Sequence, residues 1–258
     1  MYFEMSVVIA TIGRLTLLRA VKSIFDQKFE GKIQILIGID IDQYGNINNI
    51  KRLLTETCPA NVSITWIEVG YSTSKRHGGV HKCFYGGSLK TALSFLAQSK
   101  YVMYLDDDDW IADHHCNDVL KAIENKKWAF ALSFYADGNL CEPICVDGFE
   151  SVGVNVGCYK DRFGGFVRPS GLLVNKLELA PILHLWSESP FPTGDGEDRL
   201  IFSQLKNQEH GFTNRASVYY SLDPKDGMHL TRLEYIKSQG KTFKSDKKNE
   251  SVRQEYSQ

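Results

Sequence analysis

Residues 101–110, YVMYLDDDDW, join five large apolar residues to four consecutive aspartates and a tryptophan. The apolar run predicts a buried strand. Four adjacent carboxylates repel one another and do not sit uncompensated in a core, so we expect them at the strand's carboxyl end. In an open α/β sheet that edge binds ligands. Oxygen ligands suit Mg²⁺ or Mn²⁺, and such a cation suits a phosphate; the alternative is a solvated acidic turn.

The composition of the 258-residue chain is that of an ordinary globular protein, with 43% hydrophobic and 24% charged residues. A net charge of −1 gives no global field that would attract nucleic acid. No apolar run reaches membrane-spanning length, and the N-terminal residues lack the basic region of a signal peptide. The six cysteines form no CxxC pair. We therefore expect reduced thiols and a cytoplasmic location.

Strands and helices alternate through the first 110 residues. The predicted strands are 6–10, 33–39, 62–69 and 101–105. The predicted helices are 15–25, 46–57 and one from an N-cap at Ser88 to about residue 99. This order predicts a single α/β domain with a mostly parallel sheet and helices on both faces. Polar residues that follow the strands are then expected to converge at one edge.

The pattern loosens after Trp110. Further helices are predicted at 113–125, at 176–185 with an interruption at Pro181, and at 199–208. Further strands are predicted at 128–135 and 217–221, and residues 171–174 form a short apolar segment. The glycine-rich region 136–166 is expected to form loops with short strands around a substrate. We expect one domain over residues 1–237, with a nucleotide-binding half (1–110) and an acceptor-binding half (111–237). A polar, Lys-rich tail follows at 238–258.

Five motifs occur in an order that resembles a GT-A glycosyltransferase, and most closely the large inverting family 2. They are SVVIATIGR (6–14), ILIGIDID (35–42), YVMYLDDDDW (101–110), GEDRLIF (196–202) and YYSLDPKDGMHLTR (219–232). The resemblance covers about residues 5–232. Lys90-Thr91 stands where the family commonly has Arg-Asn. Ile41 separates Asp40 from Asp42, so which aspartate meets the nucleotide base stays open.

The resemblance implies a binding site for a nucleotide-diphosphate sugar, expected to be a UDP-sugar. The implied donor-binding residues are Thr11, Arg14, Asp40, Asp42, Lys90, Asp106, Asp107 and Arg168. Alternate residues of an extended segment point the same way, so Asp106 and Asp108 can reach one site. Asp108 is the implied direct ligand of Mn²⁺ or Mg²⁺, with Asp106 and His229 as further ligands. Arg168 and His229 each have the alternative of an ordinary surface residue.

Transfer also needs a base for the acceptor hydroxyl. In the resemblance Asp198 is that catalytic base, and Glu197 and Trp110 contact the acceptor, a hydroxyl of a glycan or glycolipid. The expected activity is metal-dependent, inverting transfer of a hexose or N-acetylhexosamine. A sugar-phosphate nucleotidyltransferase and a non-catalytic carbohydrate- or nucleotide-binding protein are the alternatives. Peripheral membrane association and a homo-oligomer stay open.

Overall fold

A computed structural model of the chain describes residues 3–84 and 86–244. The strands are β1 (Met5–Thr11), β2 (Ile33–Ile39), β3 (Val62–Glu68), β4 (Tyr101–Tyr104), β5 (Trp110–Ile111), β6 (Trp128–Asp137), β7 (Glu142–Val146), β8 (Gly153–Val154), β9 (Gly165–Phe166), β10 (Leu172–Asn175) and β11 (His210–Ser221). The α-helices are α1 (Thr16–Phe25), α2 (Ile47–Thr57), α3 (Gly87–Leu96), α4 (His115–Ala122), α5 (Lys160–Phe163), α6 (Lys176–Leu179), α7 (Glu197–Leu205) and α8 (His229–Ser238). Short 3₁₀ helices cover Lys75–His77 and Ala180–Ser187. The end of the predicted tail, 245–258, lies outside the described residues.

The central sheet has the strand order β3-β2-β1-β4-β10-β6-β11-β5 in the described part of the chain, and β7 pairs with the far end of β6. β1 runs parallel to both β2 and β4, and β2 runs parallel to β3. β10 enters antiparallel between β4 and β6. The predicted mostly parallel α/β sheet is confirmed. No helix among residues 3–84 and 86–244 has the length and apolarity needed to cross a membrane.

Each face of the sheet carries its own apolar core. Every residue of β2, IQILIGI, is buried, as expected for a strand covered on both faces. On one face Ile35 packs with Leu17 and Val21 of α1; on the other, Leu36 packs with Leu93 of α3. Burying one such side chain contributes about 1.5–3 kcal/mol, so the two helical layers hold the sheet's carboxyl edge in place.

The start of α3 differs from the prediction that Ser88 is its N-cap. The cap is Gly86, which has φ +70° and favours glycine. At Gly87 a Cβ atom would lie 1.9 Å from the carbonyl oxygen of Trp186, so the helix approaches the 180–187 segment closely. Ser88 therefore lies inside the first turn of α3, because the helix begins at the two glycines that precede it.

Three later elements also differ from the prediction. α7 begins at Glu197, two residues early, because Gly196 adopts φ +85° and caps it. β11 begins at His210, seven residues early, since its polar first half pairs with β6 through irregular register. His229, predicted in a loop, is the first residue of α8. The interruption predicted at Pro181 is found, since α6 ends at Leu179 and a 3₁₀ segment that contains Pro181 follows.

Candidate active site

The carboxyl ends of β1 and β4 are fastened together by hydrogen bonds. The hydroxyl of Thr11, the last residue of β1, donates to Asp107 Oδ2 at 2.6 Å and accepts from the Gly13 N–H at 3.1 Å. Asp107 follows β4 and is buried. The structure thus brings together residues that lie 96 positions apart in sequence, as expected at such an edge.

Arg14 compensates two of the four aspartates. Its Nη1 lies 3.2 Å from Asp107 Oδ1 and 2.8 Å from Asp108 Oδ2. Burial raises the pKa of Asp107, and the Arg14 charge opposes the rise. Burial, and then the neighbouring Asp107 carboxylate, raise the pKa of Asp108 to about 7. Because the Asp108 side chain is still 36% exposed, its carboxylate faces a place where a ligand can reach it.

Lys90 of α3 joins the aspartates to α7. Its Nζ lies 3.1 Å from Asp106 Oδ1 and 4.0 Å from Glu197 Oε1. Burial acts to lower the pKa of Lys90, but Asp106 and then Glu197 raise it above its ordinary value. A buried, permanently charged ammonium therefore lies between carboxylates from two distant motifs.

Glu197 and Asp198 occupy the first turn of α7. The helix dipole favours carboxylates there and would lower their pKa values. Burial outweighs this effect: it raises the pKa of Glu197 to about 7 and also raises the pKa of Asp198. Asp198 Oδ1 accepts a hydrogen bond from the Arg199 N–H at 2.7 Å. Both carboxyl groups therefore have raised proton affinity near Lys90, which suits proton transfer near neutral pH.

The set that we call the acidic edge consists of Asp106, Asp107, Asp108, Glu197 and Asp198. Within the described residues four of these five carboxyl groups, all except that of Asp198, form ion pairs, and their partners are two cationic side chains, Arg14 and Lys90. The carboxylates thus outnumber their cations, and those of Asp106 and Asp108 are each 36% exposed.

Asp40 and Asp42 have different surroundings. Asp40 is buried and accepts hydrogen bonds from the Ser72 hydroxyl at 2.6 Å and the Thr73 N–H at 2.8 Å. Asp42 accepts from the N–H groups that open α2, at 3.0 Å from Asn46. Sequence reasoning missed Ser72 and Thr73, for which the only signal is a run of hydroxyl residues after β3.

Trp110 lies between two other side chains. The Arg19 guanidinium is 3.9 Å from its ring centroid, and the Tyr219 ring stacks at 5.2 Å. Arg19 also donates to the Asp108 carbonyl at 2.6 Å. Sequence reasoning missed Arg19, because nothing distinguishes it from other polar residues of an amphipathic helix. These contacts hold Trp110 beside the acidic edge, and its predicted acceptor contact stays a prediction.

Arg168 lies in a second ionic group, the closed ionic cluster, formed with Asp147, Glu150 and Arg232. Arg168 Nη2 is 2.8 Å from Asp147 Oδ2, and Arg232 Nε is 2.6 Å from Glu150 Oε2. All four residues are buried. The Tyr220 ring lies 3.8 Å from the Arg168 guanidinium and 5.0 Å from that of Arg232. The charge of Arg168 is thus already neutralised, so this geometry lends no support to its predicted phosphate contact.

His229 is buried, and its ring lies 5.7 Å from the Phe243 ring. The alternative of an ordinary surface residue is wrong, since the residue opens α8 and its ring is buried. Neither ring nitrogen has a hydrogen-bond partner among the described residues. Its predicted metal contact stays a prediction.

The acidic edge can be tested for its fit to a divalent cation. No group of three or more His, Cys, Asp or Glu side chains in residues 3–84 and 86–244 is arranged to hold a metal by itself. Mg²⁺ and Mn²⁺ do not need such a cage, because one or two carboxylates plus substrate phosphates serve. Asp106 and Asp108 supply partly exposed carboxylates within an excess of negative charge. The donor set therefore fits a cation that arrives with a phosphorylated ligand.

No family model and no curated protein sequence matches the chain. Solved structures do match its fold. S. aureus TarS 1-349 has a TM-score of 0.60 and 13% identity, over 84% of this chain and 60% of that one. TarS 1-349 in complex with UDP-GlcNAc has a TM-score of 0.61 and 13% identity, over 88% of this chain and 60% of that one.

A third match is the mannosyltransferase PcManGT from Pyrobaculum calidifontis in complex with GDP-Man and Mn²⁺. Its TM-score is 0.59 with 12% identity, over 90% of this chain and 61% of that one. The chain thus spans about three fifths of each of these three solved chains. At these identities the likeness shows a shared fold.

Proposed function

We propose that the chain is a metal-dependent, inverting glycosyltransferase. It transfers a hexose or N-acetylhexosamine from a nucleotide-diphosphate sugar, preferentially a UDP-sugar, to a hydroxyl of a glycan or glycolipid. The observation that carries the proposal is the acidic edge, where partly exposed Asp106 and Asp108 meet the Lys90–Glu197 pair at the carboxyl ends of parallel strands. The fold shared with proteins solved with UDP-GlcNAc or GDP-Man supports it.

The donor lies in this proposal across the ends of β1, β2 and β4. Asp40 or Asp42 contacts the nucleotide base, while Thr11, Arg14 and Asp107 supply further donor contacts. Asp106 contacts the ribose or sugar. Lys90, buried and charged, lies where it stabilises negative charge on the departing diphosphate. Arg168 is the weakest member of the donor set, because Asp147 already holds its guanidinium.

A divalent cation, Mn²⁺ or Mg²⁺, would be held by Asp108 with Asp106. When bound, it neutralises charge on the leaving nucleoside diphosphate. The protein's own contribution is to keep these carboxylates close together, with Arg14 and Lys90 offsetting part of their repulsion.

Asp198 is the proposed base that takes the proton of the acceptor hydroxyl as the hydroxyl oxygen attacks the sugar. Its raised pKa suits that task, since a base works best when its pKa lies near the working pH. Glu197 and Trp110 are the proposed acceptor contacts. Glu197 is also a competing base, because its pKa of about 7 and its place beside Lys90 meet the same requirement.

The direct experiment is a thermal-shift and transfer screen of nucleotide sugars with and without Mn²⁺, in the order UDP-GlcNAc, other UDP-sugars and GDP-Man. A bound donor stabilises the native state, so the proposal expects a metal-dependent rise in Tm and donor turnover. Absence of both with every donor would refute a transferase. Donor synthesis from a sugar phosphate and a nucleoside triphosphate would favour a nucleotidyltransferase, whereas binding without turnover would favour a non-catalytic protein.

A further inference from the structure

A short basic loop, residues 75–82 (KRHGGVHK), follows β3. It contains three Lys or Arg residues, two histidines and no acidic residue. The surrounding sequence has no Asp or Glu from residue 69 to residue 105. In a chain with a net charge of −1, this is a local concentration of positive charge.

The charges of the basic loop face outward. Lys75, Arg76 and Lys82 are exposed, and none of them forms an ion pair with any residue in 3–84 or 86–244. The Arg76 guanidinium has a ring contact with Phe84 at 5.6 Å, and its N–H groups donate to no residue in 3–84 or 86–244. Charges that merely compensated the acidic edge would pair with its carboxylates. These cations face solvent, where a ligand can reach them.

The conformation of the basic loop is nevertheless held by backbone hydrogen bonds. Its own backbone is closed by hydrogen bonds between the Lys75 N–H and His81 oxygen at 2.8 Å, and between the His81 N–H and Thr73 oxygen at 3.0 Å. Asp40 holds the residues before it through Ser72 and Thr73. A braced loop presents its cations in a defined direction, with less ordering cost on binding.

The far end of the loop reaches the segment that leads into α7. The Phe84 N–H donates to the Gly194 oxygen at 2.9 Å, and Glu197 and Asp198 follow shortly. The residues on either side of the basic loop thus contact Asp40, through Ser72 and Thr73, and the segment before α7, through Phe84.

We propose that the basic loop binds phosphate or carboxylate groups carried by the acceptor, so that the acceptor is a polyanionic glycan. The acceptor role rests on the proposed function. The donor diphosphate is a poorer occupant, because buried Lys90 and the cation site already serve it, whereas the loop cations are exposed. An anionic lipid surface is also a poorer occupant, since the loop offers a single large apolar side chain, Val80, for insertion.

The experiment measures binding of the full chain to labelled inorganic polyphosphate, to alginate as a polycarboxylate, to neutral dextran and to vesicles that contain anionic lipid, each at a series of salt concentrations. The loop variant carries Lys75→Gln, Arg76→Gln and Lys82→Gln. The matched control removes three exposed lysines elsewhere, through Lys32→Gln, Lys121→Gln and Lys237→Gln. We expect binding to one or both polyanions and none to dextran. The loop variant should bind roughly tenfold more weakly or worse, with a shallower salt dependence, while the control stays near the original affinity.

Equal polyanion affinity in the loop and control variants, or no polyanion binding at all, would overturn the proposal. Binding restricted to vesicles that contain anionic lipid would replace the glycan with a membrane. The Tm rise with nucleotide sugar and Mn²⁺ is measured in parallel. If the loop variant loses that rise, the loop serves the donor and the acceptor assignment fails. If the unaltered chain shows no rise with any donor yet binds polyanion through the loop, the proposed function fails separately.

Discussion

The acidic edge and the closed ionic cluster both place carboxylates against cationic side chains, yet they differ in charge balance and exposure. In the closed ionic cluster two buried acids meet two buried arginines, Asp226 adds a third carboxylate at the rim, and the Tyr220 ring lies beside both guanidinium groups. In the acidic edge four of the five carboxyl groups pair with Arg14 or Lys90, and the side chains of Asp106 and Asp108 are each 36% exposed. Buried acids that each meet a buried arginine suit a structural role, whereas partly exposed carboxylates in excess of their cations suit an external cation.

The largest expected effect is a loss of sugar transfer when the proposed base of the acidic edge is changed. Asp198→Asn keeps the shape of the side chain and removes its ability to accept a proton. Transfer should fall by roughly 10²–10⁴-fold, while the nucleotide sugar still raises the Tm. The measurement is kcat for transfer beside donor thermal shift. Glu197→Gln is the matched variant: if it abolishes turnover and Asp198→Asn does not, the base is Glu197.

The second prediction concerns the excess of carboxylates over cationic side chains in the acidic edge. Asp108→Ala, or chelation with EDTA, should lower donor turnover on the order of 100-fold, because cation stabilisation of the leaving group is worth several kcal/mol. Asp26→Ala removes an exposed aspartate just after α1 and should leave turnover unchanged. Full activity in EDTA and in Asp108→Ala would show that the acidic edge works without a metal.

The third prediction tests whether the closed ionic cluster is structural. Arg168→Met leaves Asp147 buried without its cation, so unfolding free energy should drop by about 3–5 kcal/mol in urea. Arg52→Met, which breaks an exposed pair with Glu56, should cost about 0.5 kcal/mol or less. An Arg168→Met protein of undiminished stability that no longer binds nucleotide sugar would return Arg168 to the donor site.

The smallest effect is expected at the rim of the closed ionic cluster, where Asp226 lies 3.0 Å from Arg232 Nη1 and is 33% exposed. Burial opposes its ionisation, but the Met228 N–H and the Arg232 charge lower its pKa. A lowered carboxyl pKa adds stability above the unfolded value near 3.8, and this stability is lost as the pH falls through the folded value. Asp226→Asn should therefore cost about 1 kcal/mol or less at pH 7, and the difference should disappear in acid-titrated unfolding below that value. A difference that persists at pH 2 would assign the effect to packing.

The sheet could be predicted from the sequence because its strands are strongly apolar and alternate regularly with amphipathic helices. The convergence of Thr11, Arg14 and the aspartates followed from the same rule about parallel strand ends. Strand β10 was expected only as a short apolar segment, and four residues give no signal of where they insert. The polar half of β11 was missed, since its partner strand rather than its own pattern holds it.

Side-chain pairing was the least predictable level. An arginine in VRPSG has the same appearance in sequence whether it faces a phosphate or Asp147, because its partner lies 21 residues away. The same holds for His229, whose packing against Phe243 depends on how the chain returns after α8. Charge excess, by contrast, could be read directly from the four adjacent aspartates: three of them meet Arg14 or Lys90, while buried Asp109 accepts a hydrogen bond from the Ser221 N–H instead.

The position of β10 has a consequence for how the chain acquires its structure. Residues 172–175 lie between β4 and β6, so the middle of the sheet is incomplete until most of the chain has left the ribosome. Until then β4 presents an unpaired edge, which is a template for association with other chains. Completing the sheet also requires contacts between residues far apart in sequence, a topology that folds slowly. Fragments that stop before residue 172 should therefore self-associate, although they contain the aspartates and all of the first four strands.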